Sequence, residues 1–471
     1  MSTLQQVVQA LAQGQPTGQV LAGGVCCSFQ ELAQAALQRA ASFPPSFARQ
    51  RLALAATPEM GFLVNLLACW QLGALPLILS PWQAQQLQSQ LASAASGLSA
   101  LGAVALWQAE QGWHNPQPLD PSERYPALKL PEATPDSPAL VLFTSGSSGQ
   151  PKGVVLSHGQ ILAQLEAVAV GMELSHPARV GVMLPLQHAF ALITQVLLTL
   201  YTGGELHLLA PLLPGERLLY LTQHRIQRLA GVPTHFRLLF ETAEHLPELQ
   251  HLTVAGAALD QRLAQRLQAQ SPQASLWVGY GLTEAGPRVS ALSHHDPHFA
   301  QGSVGRPLPG VSLRLGPDSE LEVQSPSCLQ GYLDDPQSTA QVLQGGWLKT
   351  GDLASIQAGY LYISGRRDEV FQVAGEKIAP LEIEKLLLAC PGVRGVAVWG
   401  EADALLGQRL AALIEGSVSL QALRRYARQQ LPPEKRPQSW YAVESLPLNA
   451  NGKLLRKELS QWPKRLLDPS L

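Results

Sequence analysis

From Met60 to Ala109 the chain runs for 50 residues without a single Asp, Glu, Lys, Arg or His. A stretch so poor in charge is buried in a folded protein. It is not a membrane span, because Asn65, Gln71, Gly73 and Pro76 cut it into pieces shorter than the roughly 20 residues a span needs. Its spacing reads as a helix from Met60 to Leu72, then a strand from Ala74 to Leu79. The same alternation holds on both sides. Arg51 to Ala56, Gly102 to Trp107, Ala139 to Phe143, Val180 to Pro185, Glu205 to Leu209, His251 to Ala255 and Ser275 to Tyr280 read as strands. Phe29 to Ala41, Trp82 to Leu98, the region after Gln160, and Ala191 to Tyr201 read as helices. Strands alternating with helices define an α/β sheet. Residues 14–29 suggest a hairpin, and the proline-rich residues 110–137 a connecting loop.

Beyond Gly302 the texture changes to short strands with frequent Gly and Pro, which suits a small antiparallel barrel. It changes again at Gly365, where helix, strand and helix follow over Leu381 to Cys390, Val393 to Trp399 and Leu420 to Leu431. Two domains are therefore expected, 1–364 and 365–471, as the length of 471 residues requires. With 46% hydrophobic and 14% charged residues the chain is not disordered. A net charge of −2 argues against general affinity for nucleic acid. The charge is uneven. From Gly365 onward 16 Lys and Arg face 12 acids, so the C-terminal part can meet a phosphorylated partner or simply present a solvated basic face. Cys26, Cys27, Cys69, Cys328 and Cys390 are odd in number and scattered. They give no disulfide or zinc framework, the last three read as core residues, and a reduced cytoplasmic setting fits. The N-terminus MSTLQQVVQALAQ is not a secretory signal.

Chemistry concentrates in LFTSGSSGQPKGVVLSH, Leu142 to His158. An apolar strand leads into a loop from Thr144 to Gly153. Thr144, Ser145, Ser147 and Ser148 offer hydroxyls, Gly146 and Gly149 allow close approach of the backbone, and Lys152 adds a mobile positive charge. Such a loop suits a polyphosphate. It is not the G-x-x-x-x-G-K-[ST] nucleotide loop, because Pro151 precedes the lysine and Gly153 follows it. At the end of a later strand Tyr280, Gly281, Leu282, Thr283 and Glu284 offer an aromatic face, a hydroxyl for phosphate and an oxygen ligand for Mg²⁺. In WLKTGD, Asp352 follows a glycine turn, where a carboxylate can accept from two ribose hydroxyls or cap its own backbone. Arg366 can reach ribose or phosphate. Glu382 and Glu384 read as acids at a helix N-terminus.

These strings, in this order and over nearly the whole chain, resemble the adenylate-forming superfamily of acyl-CoA synthetases, peptide-synthetase adenylation domains and luciferases. Ser148 stands where the usual threonine would be, and keeps the hydroxyl. The resemblance implies an α/β N-terminal domain of two mixed sheets plus a small barrel, and a mobile α+β C-terminal lid. It implies nucleotide contacts from Thr144, Ser145, Gly146, Ser147, Ser148, Gly149 and Lys152, from Gly256, Ala257 and Ala258 past a strand end, and from Tyr280, Gly281, Asp352 and Arg366. It implies catalytic roles for Thr283, Glu284 as Mg²⁺ ligand, His188 beside an acyl tunnel, and Lys453 in PLNANGKLLRKEL. Asp368 matches the point about which the lid turns, and Gly375, Glu376 and Lys377 the loop near the thiol acceptor. The implied reaction consumes ATP with Mg²⁺, makes acyl-AMP and pyrophosphate, and passes the acyl group to coenzyme A or, alternatively, to an acyl carrier protein.

Phe190 to Leu200 contains no acid, which disfavours an α-amino acid. The wall looks apolar and suits an aryl or aliphatic acid, although Arg237 and Arg288 can instead meet a second carboxylate. In length the chain resembles the o-succinylbenzoate–CoA ligases, from which its histidine motif departs. A decayed nucleotide- or acyl-binding sensor is the reading of a different class. It sits poorly with the presence of Lys152, Glu284, Asp352 and Lys453 together.

Overall fold

The computed structural model describes residues 2–91, 103–108, 112–114, 132–145, 151–209, 213–241, 246, 248–373, 376–403, 407–448 and 454–467. Lys453, the loop residues 146–150, Gly375 and the connecting loop 115–131 lie outside the described residues, as do the side chains of Ser145, Glu376 and Lys377.

Two large mixed sheets dominate. One has nine strands, ordered edge to edge Arg306–Pro307, Ser290–Ser293, Ser275–Tyr280, His251–Ala255, Arg228–Gly231, Ala178–Val182, Gly204–Leu208, Gly18–Ala22 and Val25–Ser28. Its middle strands pair in parallel, and antiparallel strands close both edges. His251–Ala255 is buried at every residue, as a parallel strand covered on both faces must be. The second sheet has seven strands, ordered Gly331–Tyr332, Pro151–Ser157, Pro138–Ser145, Leu75–Leu79, Arg51–Ala55, Ala103–Gln108 and Gly112–His114. One hydrophobic core joins residues of both sheets with the helices Leu4–Ala12, Phe29–Ala41, Met60–Gln71 and His158–Gly171. The first part of the uncharged stretch is core, as expected, with Leu66, Cys69, Trp70, Leu77 and Ile78 all buried, whereas in the following helix Pro81–Leu91 Trp82 is exposed. Two of these helices start on capping boxes, Ser28 with Glu31 and Ser157 with Gln160, each satisfying backbone N–H groups that the first turn leaves open.

Past Gly302 five antiparallel strands form an open half-barrel: Ser312–Leu315, Glu320–Gln324, Trp347–Gln357, Leu343–Gln344 and Tyr360–Arg366. Toward the C-terminus a four-stranded sheet of Val393–Asp403, Gly407–Gly416, Ser439–Val443 and Arg465–Leu466 packs the helices Pro380–Leu388 and Leu420–Gln430 into a core of its own. Cys69, Cys328 and Cys390 are buried and free. No helix among the described residues is long and apolar enough to cross a membrane.

Three local expectations need correction. The loop expected from Thr144 to Gly153 is shorter: Thr144 and Ser145 continue one strand, and Pro151 to Gly153 begin the next, with Thr144 opposite Lys152. Cross-strand pairing overrides the weak strand propensity of Ser and Gly there. The helix expected over Ala191 to Tyr201 is an α-turn Ala189–Ala191, a π-wound segment Leu192–Leu197 and a helix Leu198–Thr202. Thirdly, Glu384 is not merely an acid near a helix start. It is buried, accepts from the Val398 N–H at 2.8 Å and holds Arg456 at 2.7 Å.

Candidate active site

Parallel strands of the nine-stranded sheet end together where His251–Ala255 runs into exposed Gly256, Ala257 and Ala258, and its neighbour Ser275–Tyr280 runs into Gly281. Loops at such strand ends are where open α/β sheets hold ligands. The turn after Tyr280 is tightly folded. A Cβ on Gly281 would stand 1.8 Å from the Pro287 carbonyl oxygen, so only glycine fits. The turn presents Thr283 and Glu284, both half-buried, at the start of a 3₁₀ segment.

Two side-chain groups meet at this edge. In the first, the Tyr280 hydroxyl donates to Asp352 Oδ2 at 2.5 Å. Arg366 Nη1 donates to Asp352 Oδ1 at 3.2 Å, and its Nε to Asp368 Oδ1 at 3.1 Å. Asp352 and Arg366 face each other across the antiparallel pair Trp347–Gln357 and Tyr360–Arg366. Burial, and then the Asp352 charge, push the Tyr280 phenol well above its ordinary range. Burial works against the charge of Arg366, but Asp352 and Asp368 outweigh it and raise its pKa.

The second group centres on Tyr332. Its hydroxyl donates to Glu284 Oε1 at 3.1 Å, and the Lys152 ammonium lies 5.0 Å from its ring centroid. Lys152 also donates to Ser338 Oγ at 2.9 Å. Tyr332 pairs with Val154 through the edge strand Gly331–Tyr332, which brings it beside the hairpin that carries Lys152. Sequence reasoning passed over Tyr332: a tyrosine in GYLDD carries no local signal, and its position follows from a strand pairing across nearly 180 residues.

Thr144 lies opposite Lys152 and donates to its carbonyl at 3.4 Å. His188 precedes the short helix Ala189–Ala191, where its backbone carbonyl accepts from Ala191 and Leu192. Behind this edge lies a narrow pocket, partly open to solvent. Val168, Met172, Phe190, Leu198 and Leu229 give it apolar walls, and Arg228, His251 and Arg288 also line it. Arg237, the other arginine considered for a second carboxylate, is instead paired with Asp260 at 2.6 Å.

A two-sheet α/β body, a half-barrel and a small C-terminal sheet, with acid, lysine and tyrosine gathered at the strand ends, define a nucleotide-binding enzyme of the adenylate-forming kind. The chain belongs to the AMP-binding enzyme family: residues 8–333 match the AMP-binding enzyme domain and residues 382–453 its C-terminal domain. It is similar to a feruloyl-CoA synthase of Amycolatopsis sp, 33% identical over 346 residues that make up 69% of this chain and 70% of that protein. It is also similar to a long-chain-fatty-acid–CoA ligase of Escherichia coli, 32% identical over 364 residues, 72% of this chain and 64% of the relative. In fold it matches the o-succinylbenzoate CoA synthetase of Bacillus subtilis in complex with its acyl-adenylate intermediate, with a TM-score of 0.83, 24% identity, and coverage of 97% of this chain and 98% of that one.

Proposed function

We propose that this chain activates a carboxylic acid with ATP, forming acyl-AMP and pyrophosphate, and then transfers the acyl group to the thiol of coenzyme A. It is an AMP-forming acid–thiol ligase. The observation that carries this reading is the gathering of Lys152, Tyr332 and Glu284 near Tyr280, Asp352 and Arg366, drawn from all three sheets of the N-terminal body. Such a site can hold a triphosphate at one end and a ribose at the other. An acyl carrier protein is the alternative acceptor, for which the basic balance after Gly365 is the only support. Five free thiols suit a reduced, cytoplasmic setting.

In the first step a carboxylate oxygen attacks the α-phosphorus and pyrophosphate leaves. Carboxylate and phosphate repel each other, so the protein must align them and neutralise charge. Lys152 and the hydroxyls of Thr144, Ser145, Ser147 and Ser148 take the phosphates, with Gly146 and Gly149 letting the backbone approach. Thr283 adds a hydroxyl. Asp352 takes the ribose, flanked by Arg366. Tyr280, Gly281 and the exposed Gly256 to Ala258 border the adenosine. The cavity is the acyl pocket, and His188 lies two residues before Phe190 in its lining. Among the described residues no group of three or more His, Cys, Asp or Glu is placed to hold a metal ion by itself. The half-buried carboxylate of Glu284 would hold Mg²⁺, a cation bound by one or two carboxylates together with substrate phosphates and water. When bound, Mg²⁺ neutralises phosphate charge.

Lys453 completes the first step by bridging carboxylate and α-phosphate from the lid, and rotation then removes it before the thiol arrives. Removing one such donor costs about 10²–10³ in rate. Lys453→Ala is therefore expected to cripple pyrophosphate release, yet to make thioester from synthetic acyl-AMP and coenzyme A at a near-normal rate. Normal adenylation by the variant would exclude Lys453 as the catalytic lysine. Equal failure in both assays would sink the two-pose mechanism.

A further inference from the structure

Arg288 is only 3% exposed, and its Nε has no hydrogen-bond partner among the described residues. No Asp or Glu lines the cavity with it. The guanidinium is held by packing. It lies over the Phe190 ring at 4.7 Å, and it passes so close to Gly279 that a Cβ there would stand 2.6 Å from Nη1. Arg228, also in the lining, is satisfied by the carbonyls of Leu174 and His176 at 3.0 and 2.6 Å. Among the described residues Arg288 has no such arrangement. Burial alone pushes it down to about 10, which leaves it charged at neutral pH. A buried cation with no counter-ion is strongly unfavourable unless something brings the missing charge.

The cavity's position says what can bring it. His251, Thr253 and Ala255 point to one face of their strand, and Trp277 and Gly279 lie opposite Thr253 and Ala255 on the next. This face runs from Ala255 and Gly279, beside Tyr280, down to His251 at the far end of the strand. An acid whose reacting carboxylate meets the nucleotide extends its tail along that face, past Arg288.

We propose that the acid activated here is a dicarboxylate, whose second carboxylate is the counter-ion of Arg288. This deepens the reading of the cavity as an acyl pocket and rests on it. The planar guanidinium can receive a carboxylate through two parallel hydrogen bonds. A monoacid of the same shape would leave the cation unpaired and press an apolar end against it. Sites built around a buried polar partner reject the analogue that lacks it by large factors.

The test uses the full-length enzyme and length-matched pairs of saturated and aryl acids, one member with a terminal carboxylate and the other with a methyl group. Pyrophosphate release gives kcat/KM, and the shift in unfolding temperature on adding each acid gives binding without turnover. The expected result is a preference for the diacid of at least about a hundredfold in the parent. Arg288→Met should reverse it, Arg288→Lys should restore part of it, and KM for ATP should change little in either. Two results overturn the proposal: no diacid preference in kcat/KM or in binding, or an Arg288→Met variant that loses both members of a pair equally. Diacid binding that depends on Arg288 without pyrophosphate release would uphold the carboxylate site and refute the adenylation reading instead.

Discussion

Arg237 and Arg288 look alike as residues, since each is a basic side chain after a strand end in an apolar context. Only the fold separates them, by giving Arg237 the Asp260 carboxylate and Arg288 no carboxylate among the described residues. The same limit explains why the sequence singles out Lys152 and Glu284 but not Tyr332. Motif residues carry their spacing with them, whereas a bridging side chain is defined by what stands across from it. His158 shows a further consequence of burial. Its Nδ1 accepts from the Leu4 N–H at 3.2 Å, and burial pushes its pKa down to about 4. Below pH 6.5 the unfolded chain binds a proton that folded His158 refuses until about pH 4. Its contribution to stability is therefore full above 6.5 and is lost as pH falls toward 4, by roughly 3 kcal/mol at about 1.4 kcal/mol per unit. Urea midpoints at pH 7 and 4.5 should show a smaller acid loss for His158→Gln than for the parent. An identical loss in both would show that His158 titrates normally in the fold.

At the scale of elements the sequence was easiest to read where apolar periodicity is strong. His251–Ala255 and Ser275–Tyr280 fall where expected, as does the helix Phe29–Ala41. It was least legible where pairing partners decide the outcome, as in the hairpin around Lys152, or where backbone winding departs from 3.6 residues per turn. In Leu192–Leu197, Thr194 and Gln195 both reach back to the Phe190 carbonyl, at 2.7 and 3.3 Å, and every residue is buried, so periodicity gave no warning. The turn after Tyr280 gives a direct test of element geometry. In Gly281→Ala the new methyl meets the Pro287 carbonyl, so the turn must open. A destabilisation of about 1–3 kcal/mol is expected, with a larger loss in ATP affinity than in affinity for acyl substrate. Calorimetric titration with ATP alongside thermal unfolding checks both, and unchanged ATP affinity would mean that the turn does not shape the nucleotide site.

Across the whole molecule, family, sheet architecture and reaction class were legible because the motifs occur in order along nearly all of the chain. The identity of the acid was not, because the cavity draws its lining from three strands, several helical segments and the loop that carries Arg288. The short 3₁₀ turn Arg367–Glu369 follows the last half-barrel strand and precedes the helix and sheet of the C-terminal core. We expect Asp368→Pro, which fixes one torsion and removes an N–H, to slow thioester formation more than adenylation. Half-reaction assays decide this, and equal slowing of both would remove the turn from consideration as a pivot. The ion pair from Arg366 to Asp352 gives that turn a second significance. Asp352 accepts from both Tyr280 and Arg366. A nucleotide that takes the carboxylate must draw on the contact that tethers the residue two places before Asp368. Coupling of this kind is reciprocal: whatever ATP does to the freedom of the turn, the setting of the turn does in equal measure to the affinity for ATP.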